Sequence, residues 1–377
     1  MKTWASECTE ECDAVSGHRV VRWTNSPAKD QHFYFTSPSV TADNRWLVFI
    51  SERTGHPNIM AVDRQSGEIR QLSDNRAGLL KSYVYPLGGC EGLSKASPCL
   101  DETRGIVYYI QDNRVMAVEI ASGCVRGLCA LPAGWITGFN HVSSDGRYLG
   151  VPCASAGAFV DPAAGQGAQM WNVMARFYGG RHASRILRID TRTGAWETWA
   201  EVPFWVTHVN FDPTSSDRLT FNQEGGPVVA CRIWCLERDG RWRKLFNQGP
   251  DTHVNHENWA PEGGAVVFHG LRGGIPFVES RDWHGRVLRS SPVADMPGGH
   301  VTPGATPDEF ITDGIGDLIS LLRVDANSRV QVSTLCRHGS RAAEQDTHAH
   351  PLLGPDRRSV VFTSDRAGLA DVYEVFL

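Results

Sequence analysis

Gln345, His348 and His350 lie together in EQDTHAHPLLGPDRRSVVF (344–362), just ahead of an apolar, strand-like run. Residues two apart on an extended chain point the same way, so His348 and His350 share a side. Gln345 can bend back towards them from the entering loop. With His300, this makes three imidazoles and an amide oxygen without a thiolate. Such an N/O set suits Mn²⁺, Ni²⁺, Co²⁺ or Zn²⁺, and positions left to water favour an octahedral ion. Two more residues extend the chemistry: His256 in NHENW and Arg232 in CRIW. An imidazole with an ordinary pKa of ~6.5 is a usable base near neutrality. A guanidinium clamps a carboxylate through two hydrogen bonds.

These residues are far apart in the chain, so a repeated element must bring them together. A unit of roughly 50 residues recurs, the period of a propeller blade rather than of a helical solenoid. Its first copy is SVTADNRWLVFIS…NIMAVDRQSGEIRQL, and its last is HAHPLLGPDRRSVVFTS…DVYEVFL. Each copy reads as short β runs separated by Asp, Gly and Pro turns, and no segment holds a helical period for long. Seven copies fill almost the whole chain, which predicts an all-β, seven-bladed β-propeller forming a single domain over residues 1–377. The last copy stops at Leu377 after its third strand, while HRVVRWT (18–24) is a spare alternating segment. That N-terminal strand is expected to complete the last blade and leave no long open edge. Residues 1–16 are expected to be a loosely ordered extension.

Strands A to D are lettered outward from the central channel. Neighbours are antiparallel, so A and C strands start on one face of the ring. His141, His208, His253, His256, His300, His348 and His350 all fall shortly before, or at, the A–B turns of blades three to seven. Half of the 14 histidines thus occupy one phase. Any one of them is equally well explained as a polar residue beside a water-filled channel, and Arg232 as a surface cation. The set as a whole points to a site at one channel mouth.

The rest of the composition narrows the function classes. The chain is 41% hydrophobic and 21% charged, with a net charge of −5. A mildly acidic chain without long basic runs is a poor match to nucleic acid. No stretch approaches the ~20 apolar residues that cross a bilayer. The first residues, MKTWASECTEECDAVSG, do not read as a secretory signal. The 10 cysteines are scattered, and Cys8 and Cys12 lack the second pair that zinc-finger spacing needs. A reducing, cytoplasmic location is therefore expected, with no obligate protein partner evident.

From Gly17 to the C-terminus the chain resembles the oligogalacturonate lyases, metal-dependent polysaccharide lyases built on a seven-bladed propeller. The family's H-E-aromatic-W motif is similar to His256-Glu257-Asn258-Trp259, and its R-x-W segment to Arg232-Ile233-Trp234. Its blade-six histidine matches His300, and its Q-x-x-H-x-H run matches Gln345, His348 and His350. The resemblance implies a Mn²⁺ cofactor and β-elimination on short uronic-acid oligosaccharides. It casts His256 as the base that removes the C5 proton and Arg232 as the group that neutralises the acidic sugar. Water is not consumed, so no hydrolytic carboxylate pair is called for.

The chain departs from the family pattern in two places. It reads Asn222-Gln223-Glu224-Gly225 where C-H-E-G is common, and Asn258 replaces an aromatic. Both changes are expected to bear on sugar subsites rather than on the reaction. His208, Glu224, Arg181 and Arg272 are candidate substrate-binding residues. Two other readings remain: a lyase of the same mechanism on a different uronide, or a non-enzymatic propeller with a structural metal that binds glycans or proteins. The turns also resemble those of TolB-like and prolyl-peptidase propellers, but the peptidase reading needs a G-x-S-x-G that the chain lacks.

Overall fold

The computed structural model describes residues 2–77, 92–159, 166–225, 229–293, 295–296 and 298–377, with the side chains of residues 166–170 and 345 outside that description. Cys90 also lies outside it. Seven antiparallel sheets are present among the described residues, one for each repeat of the sequence. In blade five the A to D strands are Thr252–Trp259, Ala265–Arg272, Ile275–Asp282 and Val287–Pro292. Blades four and six follow the same order, with A strands Val209–Asp212 and Val301–Pro303.

Each blade is covered on both faces by its neighbours, so its middle strands read as continuous apolar runs rather than alternating ones. Trp46–Ser51 and Asn58–Asp63 in blade one are buried at every position. Seven apolar clusters sit between adjacent blades, with each large aliphatic or aromatic side chain contributing about 1.5–3 kcal/mol on burial. The C–D turns repeat one piece of chemistry. Asp63 Oδ1 accepts from the Gln65 amide at 2.9 Å, and Asp190 Oδ1 accepts from the Arg192 amide at 2.9 Å. Both turns end in a left-handed glycine, Gly67 at φ 76° and Gly194 at φ 74°, where a side chain would be strained.

The ring closes as the sequence predicts. Arg19–Arg22 pairs antiparallel with Asp371–Phe376, putting Val20 opposite Val375. Val21 and Trp23 then pack with Val361 and Val372 against Leu47 and Phe49 of blade one.

The segment before residue 17 is not the expected loose extension. Thr9–Cys12 adds a fifth strand outside Arg19–Arg22, and Thr3–Trp4 adds one outside blade one. Glu7 between them accepts from Arg53 at 2.9 Å. These strands are too short and polar to show a period; they are held by the edges they cover. A second departure is the helix Gln166–Tyr178, inserted between the B strand (Tyr148–Ser155) and C strand (Ser184–Asp190) of blade three. It seats Val173, Met174 and Phe177 on Ala154, Ala158 and Trp205. No helix among the described residues is long and apolar enough to cross a membrane.

His32 in the A strand of blade one gives the fold a pH limit. It donates from Nε2 to the His350 carbonyl at 2.8 Å and accepts at Nδ1 from the Thr363 hydroxyl at 2.6 Å. That arrangement needs the neutral ring, and burial lowers its pKa to about 4. The associated stability is full above pH ~6.5 and is lost as pH falls from there through about 4, on the order of 3 kcal/mol. The urea midpoint is expected to drop between pH 7 and pH 4.5. His32→Gln, which does not titrate, is expected to reduce that slope without abolishing it, because burial also lowers His256, His269 and His350; an unchanged slope would remove His32 as a contributor.

Candidate functional site

His300 stands one residue before the A strand of blade six, and His348 and His350 just before the A strand Leu352–Leu353 of blade seven. Their ligand nitrogens all lie within 4.8 Å of one another. Asp313, on the B strand of blade six, orients the group. The His300 Nδ1–H donates to Asp313 Oδ2 at 3.1 Å, and the His350 amide donates to the same oxygen at 3.2 Å. A carboxylate behind an imidazole fixes its tautomer and turns the other nitrogen outward, as at metal sites. Burial, then the neighbouring imidazoles, holds His350 well below its ordinary pKa and lowers His348. Their lone pairs therefore stay available at neutral pH. Among the described residues, His348 Nδ1 is buried without a hydrogen-bond partner, which fits a cation ligand. Gln345 opens the short 3₁₀ turn Gln345–Thr347, and its side chain lies outside the described part. The next residue, Asp346, anchors that turn to buried Lys95 at 3.4 Å.

His256 reaches this cluster through a bulge. Between Asn255 and Asn258 the A strand of blade five advances three residues against two on its partner. His256 sits in that bulge at φ 46°, a left-handed conformation that an imidazole rarely adopts. Its ring centre comes 4.4 Å from that of His300. Its Nδ1 lies 2.8 Å from Nε2 of His269 on the adjacent B strand. Phe35 forms the floor, with its ring 5.3 Å from His256 and 6.0 Å from His350. Burial, then the nearby His300, His269 and Arg232, holds His256 well below its ordinary range, so it is neutral at pH 7.

Arg232 is fixed beside this pair by two carboxylates. Its Nε donates to Glu257 Oε2 at 3.1 Å and its Nη1 to Glu224 Oε2 at 3.3 Å. Glu257 is fully buried and also accepts from His208 Nε2 at 2.7 Å. Burial alone would raise its carboxyl, but the His208 and Arg232 charges reverse this and hold it at about 2. Glu257 directly follows His256, so one bulge sets both the imidazole and the counter-ion of the guanidinium.

The remaining candidates are placed as follows. His208 is buried and engaged by Glu257, and Glu224 accepts from Thr207 at 2.7 Å as well as from Arg232. Arg272 ends the B strand of blade five at the same mouth, with its Nη2 donating to Glu279 Oε2 at 2.8 Å. Arg181 is exposed just beyond the inserted helix. His141, which the phase argument put with the others, belongs to the opposite mouth. It lines a cavity of about 500 Å³ there with Asp212, Pro303 and Arg357. The two departures from the family pattern each hold a protein partner. Asn258 donates to the Phe35 carbonyl at 2.9 Å, and Gln223 accepts from Trp234 Nε1 at 3.2 Å.

The sequence reading assigned no role to His269, Asp313, Glu257 or Phe35. The first two did carry a signal: each is the fifth residue of its B strand and precedes a glycine, in VVFHG and FITDG.

With this geometry in view, comparison with known proteins is informative. Residues 6–301 match the family model described as oligogalacturonate lyase, a span that holds Arg232, His256 and His300 and ends before His348. The oligogalacturonide lyase of Pectobacterium atrosepticum is 22% identical over 388 residues, covering 96% of this chain and 94% of that protein. A solved oligogalacturonate lyase in complex with manganese superposes with a TM-score of 0.83 at 23% identity, covering 100% of this chain and 97% of the other. The Vibrio parahaemolyticus oligogalacturonate lyase gives 0.83 at 20% identity, covering 100% and 98%. At these identities the solved structures speak for the seven-bladed ring, whereas the family model accounts for well over half of the chain. The chain belongs to the oligogalacturonate lyase family.

Proposed function

We propose that the protein is an oligogalacturonate lyase, cleaving short uronic-acid oligosaccharides by β-elimination. The observation that carries this reading is the delivery of His256, by its bulge, onto the His300–His348–His350 cluster with Arg232 clamped alongside. His300, His348 and His350, with Gln345 next to them in sequence, would hold the divalent cation, and the solved relative binds manganese. Once bound there, Mn²⁺ supplies Lewis-acid polarisation of a uronate carboxylate, which acidifies the proton on the adjacent C5.

His256 takes that proton. For this role its Nδ1–H donates to His269 Nε2, leaving its own Nε2 lone pair for the substrate. The C5–H electron pair becomes the C4–C5 double bond, and the C4–O bond breaks with its electrons on the departing oxygen. That oxygen takes up a proton, so the products are a saturated end and a 4,5-unsaturated uronate, with no water consumed. Arg232 pairs with the charge of the acidic sugar, and Glu257 and Glu224 hold the guanidinium in place before substrate arrives. Its position is thus set in advance, which avoids reorganisation during the reaction. We also place the enzyme in a reducing compartment such as the cytoplasm, because every described cysteine is a free thiol.

The test couples metal analysis of the purified protein to the absorbance of the unsaturated product, on di- and trigalacturonate. Chelation is expected to abolish turnover and Mn²⁺ to restore it. Full activity after complete metal loss would overturn the metal's role. Turnover of another uronide but neither galacturonide would shift the substrate while keeping the mechanism.

A further inference from the structure

We propose that the helix Gln166–Tyr178 is an outer sugar subsite, where Trp171 and Tyr178 stack against units of the oligouronide beyond those at the reacting bond. This deepens the lyase reading and rests on it for the identity of the ligand.

The helix is inserted between the B and C strands of blade three, which puts it at the mouth where C strands begin and where Arg232 stands just before the C strand Ile233–Glu237 of blade four. Its seating is accounted for by Val173, Met174 and Phe177 on Trp205 and the two alanines. Trp171 and Tyr178 take no part in that cluster, and each is 53% exposed. Seven residues make two turns to within about 20°, so both aromatics lie on one flank, about 10 Å apart along the axis. A di- or trisaccharide bridges that spacing.

The same flank runs into the site. A Cβ placed on Gly225 would come 2.5 Å from the Tyr178 hydroxyl oxygen, so that hydroxyl lies directly against the backbone of Gly225. Gly225 follows Glu224, whose carboxylate takes Arg232 at 3.3 Å. The Glu224 amide in turn donates to the Trp205 carbonyl at 2.9 Å, and the Trp205 ring stacks at 8° to Phe177 of the helix. One connected body therefore carries the clamp and the aromatic flank.

The chemistry suits a pyranose. Its C–H faces are apolar while its edge carries hydroxyls and, in a uronide, a carboxylate. Rigid aromatic side chains offer area to the face at low entropic cost and keep a polar handle at the edge. Exposed Arg181, three residues past Tyr178, adds a cation at the end of the flank.

The test measures kcat/KM on di- and tetragalacturonate for the wild type, Trp171→Ala, Tyr178→Ala and Trp171→Phe. Each alanine variant is expected to lower the tetramer-to-dimer ratio of kcat/KM about tenfold, through KM. The phenylalanine variant is expected to recover most of that loss. An unchanged ratio overturns the subsite, as does an equal fall on both substrates. A change of oligomeric size in place of the ratio would make the flank an interface between copies, and the proposal falls.

Fluorescence titration of tetragalacturonate, with Trp171 intact or as alanine in a His256→Asn background, separates this proposal from the lyase reading. Weaker binding with Trp171→Ala, alongside a wild type that cleaves no galacturonide, would keep the subsite and sink the lyase assignment. Equal binding by both would sink the subsite alone.

Discussion

His256→Asn is expected to lower kcat on trigalacturonate by about 10²–10⁴-fold, the usual contribution of a positioned general base. That corresponds to roughly 3–5 kcal/mol of transition-state stabilisation. Asparagine is the informative replacement because of the backbone. His256 sits at φ 46°, which asparagine tolerates well among non-glycine residues, while alanine adds a left-handed penalty of about 1–2 kcal/mol. The asparagine side chain can also keep a hydrogen bond to His269, so the bulge and Glu257 are expected to stay in place. Metal content and the urea midpoint are the controls, since His256 is not one of the three clustered metal-ligand candidates. Retained metal and fold with turnover within a few-fold of the wild type would remove His256 as the base. The loss is expected in kcat more than in KM, because the proton is shared with the imidazole only in the transition state.

How much of this site the sequence revealed follows from what each residue had to do. His300, His348 and His350 were legible because their spacing and blade phase coincide, and HRVVRWT because an alternating strand was left over where one was missing. The same phase rule misplaced His141. Eight residues of strand span about 26 Å, enough to cross from one mouth to the other, so a window that wide does not define a face. Blade three also splits its inner strand into Trp135–Thr137 and His141–Val142, which breaks the count. The His256 bulge was invisible because only pairing partners define it. His269 and Asp313 read as stray polar residues in apolar strands until the channel showed what they face. The inserted helix is short, carries a glycine, and lies in a chain whose period is that of strands, so its pattern did not stand out. Thr3–Trp4 and Thr9–Cys12 exist only because two sheet edges were open beside them.

Glu257→Ala is expected to destabilise the protein by about 3–5 kcal/mol, the range for removing one partner of a buried ion pair. Glu257 is fully buried, and it accepts from both Arg232 at 3.1 Å and His208 at 2.7 Å. Removing it leaves a buried guanidinium with, among the described residues, only Glu224 as counter-ion, at 3.3 Å, and strands the His208 N–H. Glu224→Ala is expected to cost less, because the Glu224 side chain is 19% exposed and water can replace part of what it supplies. Urea midpoints at pH 7 rank the two. The charge argument makes a further demand: adding Arg232→Met to Glu257→Ala is expected to recover part of the loss, since the uncompensated cation leaves with it. A double variant that is the sum of its parts would mean that Glu257 acts by packing rather than by charge. If instead Glu257→Ala costs no more than Glu224→Ala, burial does not set the strength of this clamp, and Arg232 is held by something other than the residue that follows the base.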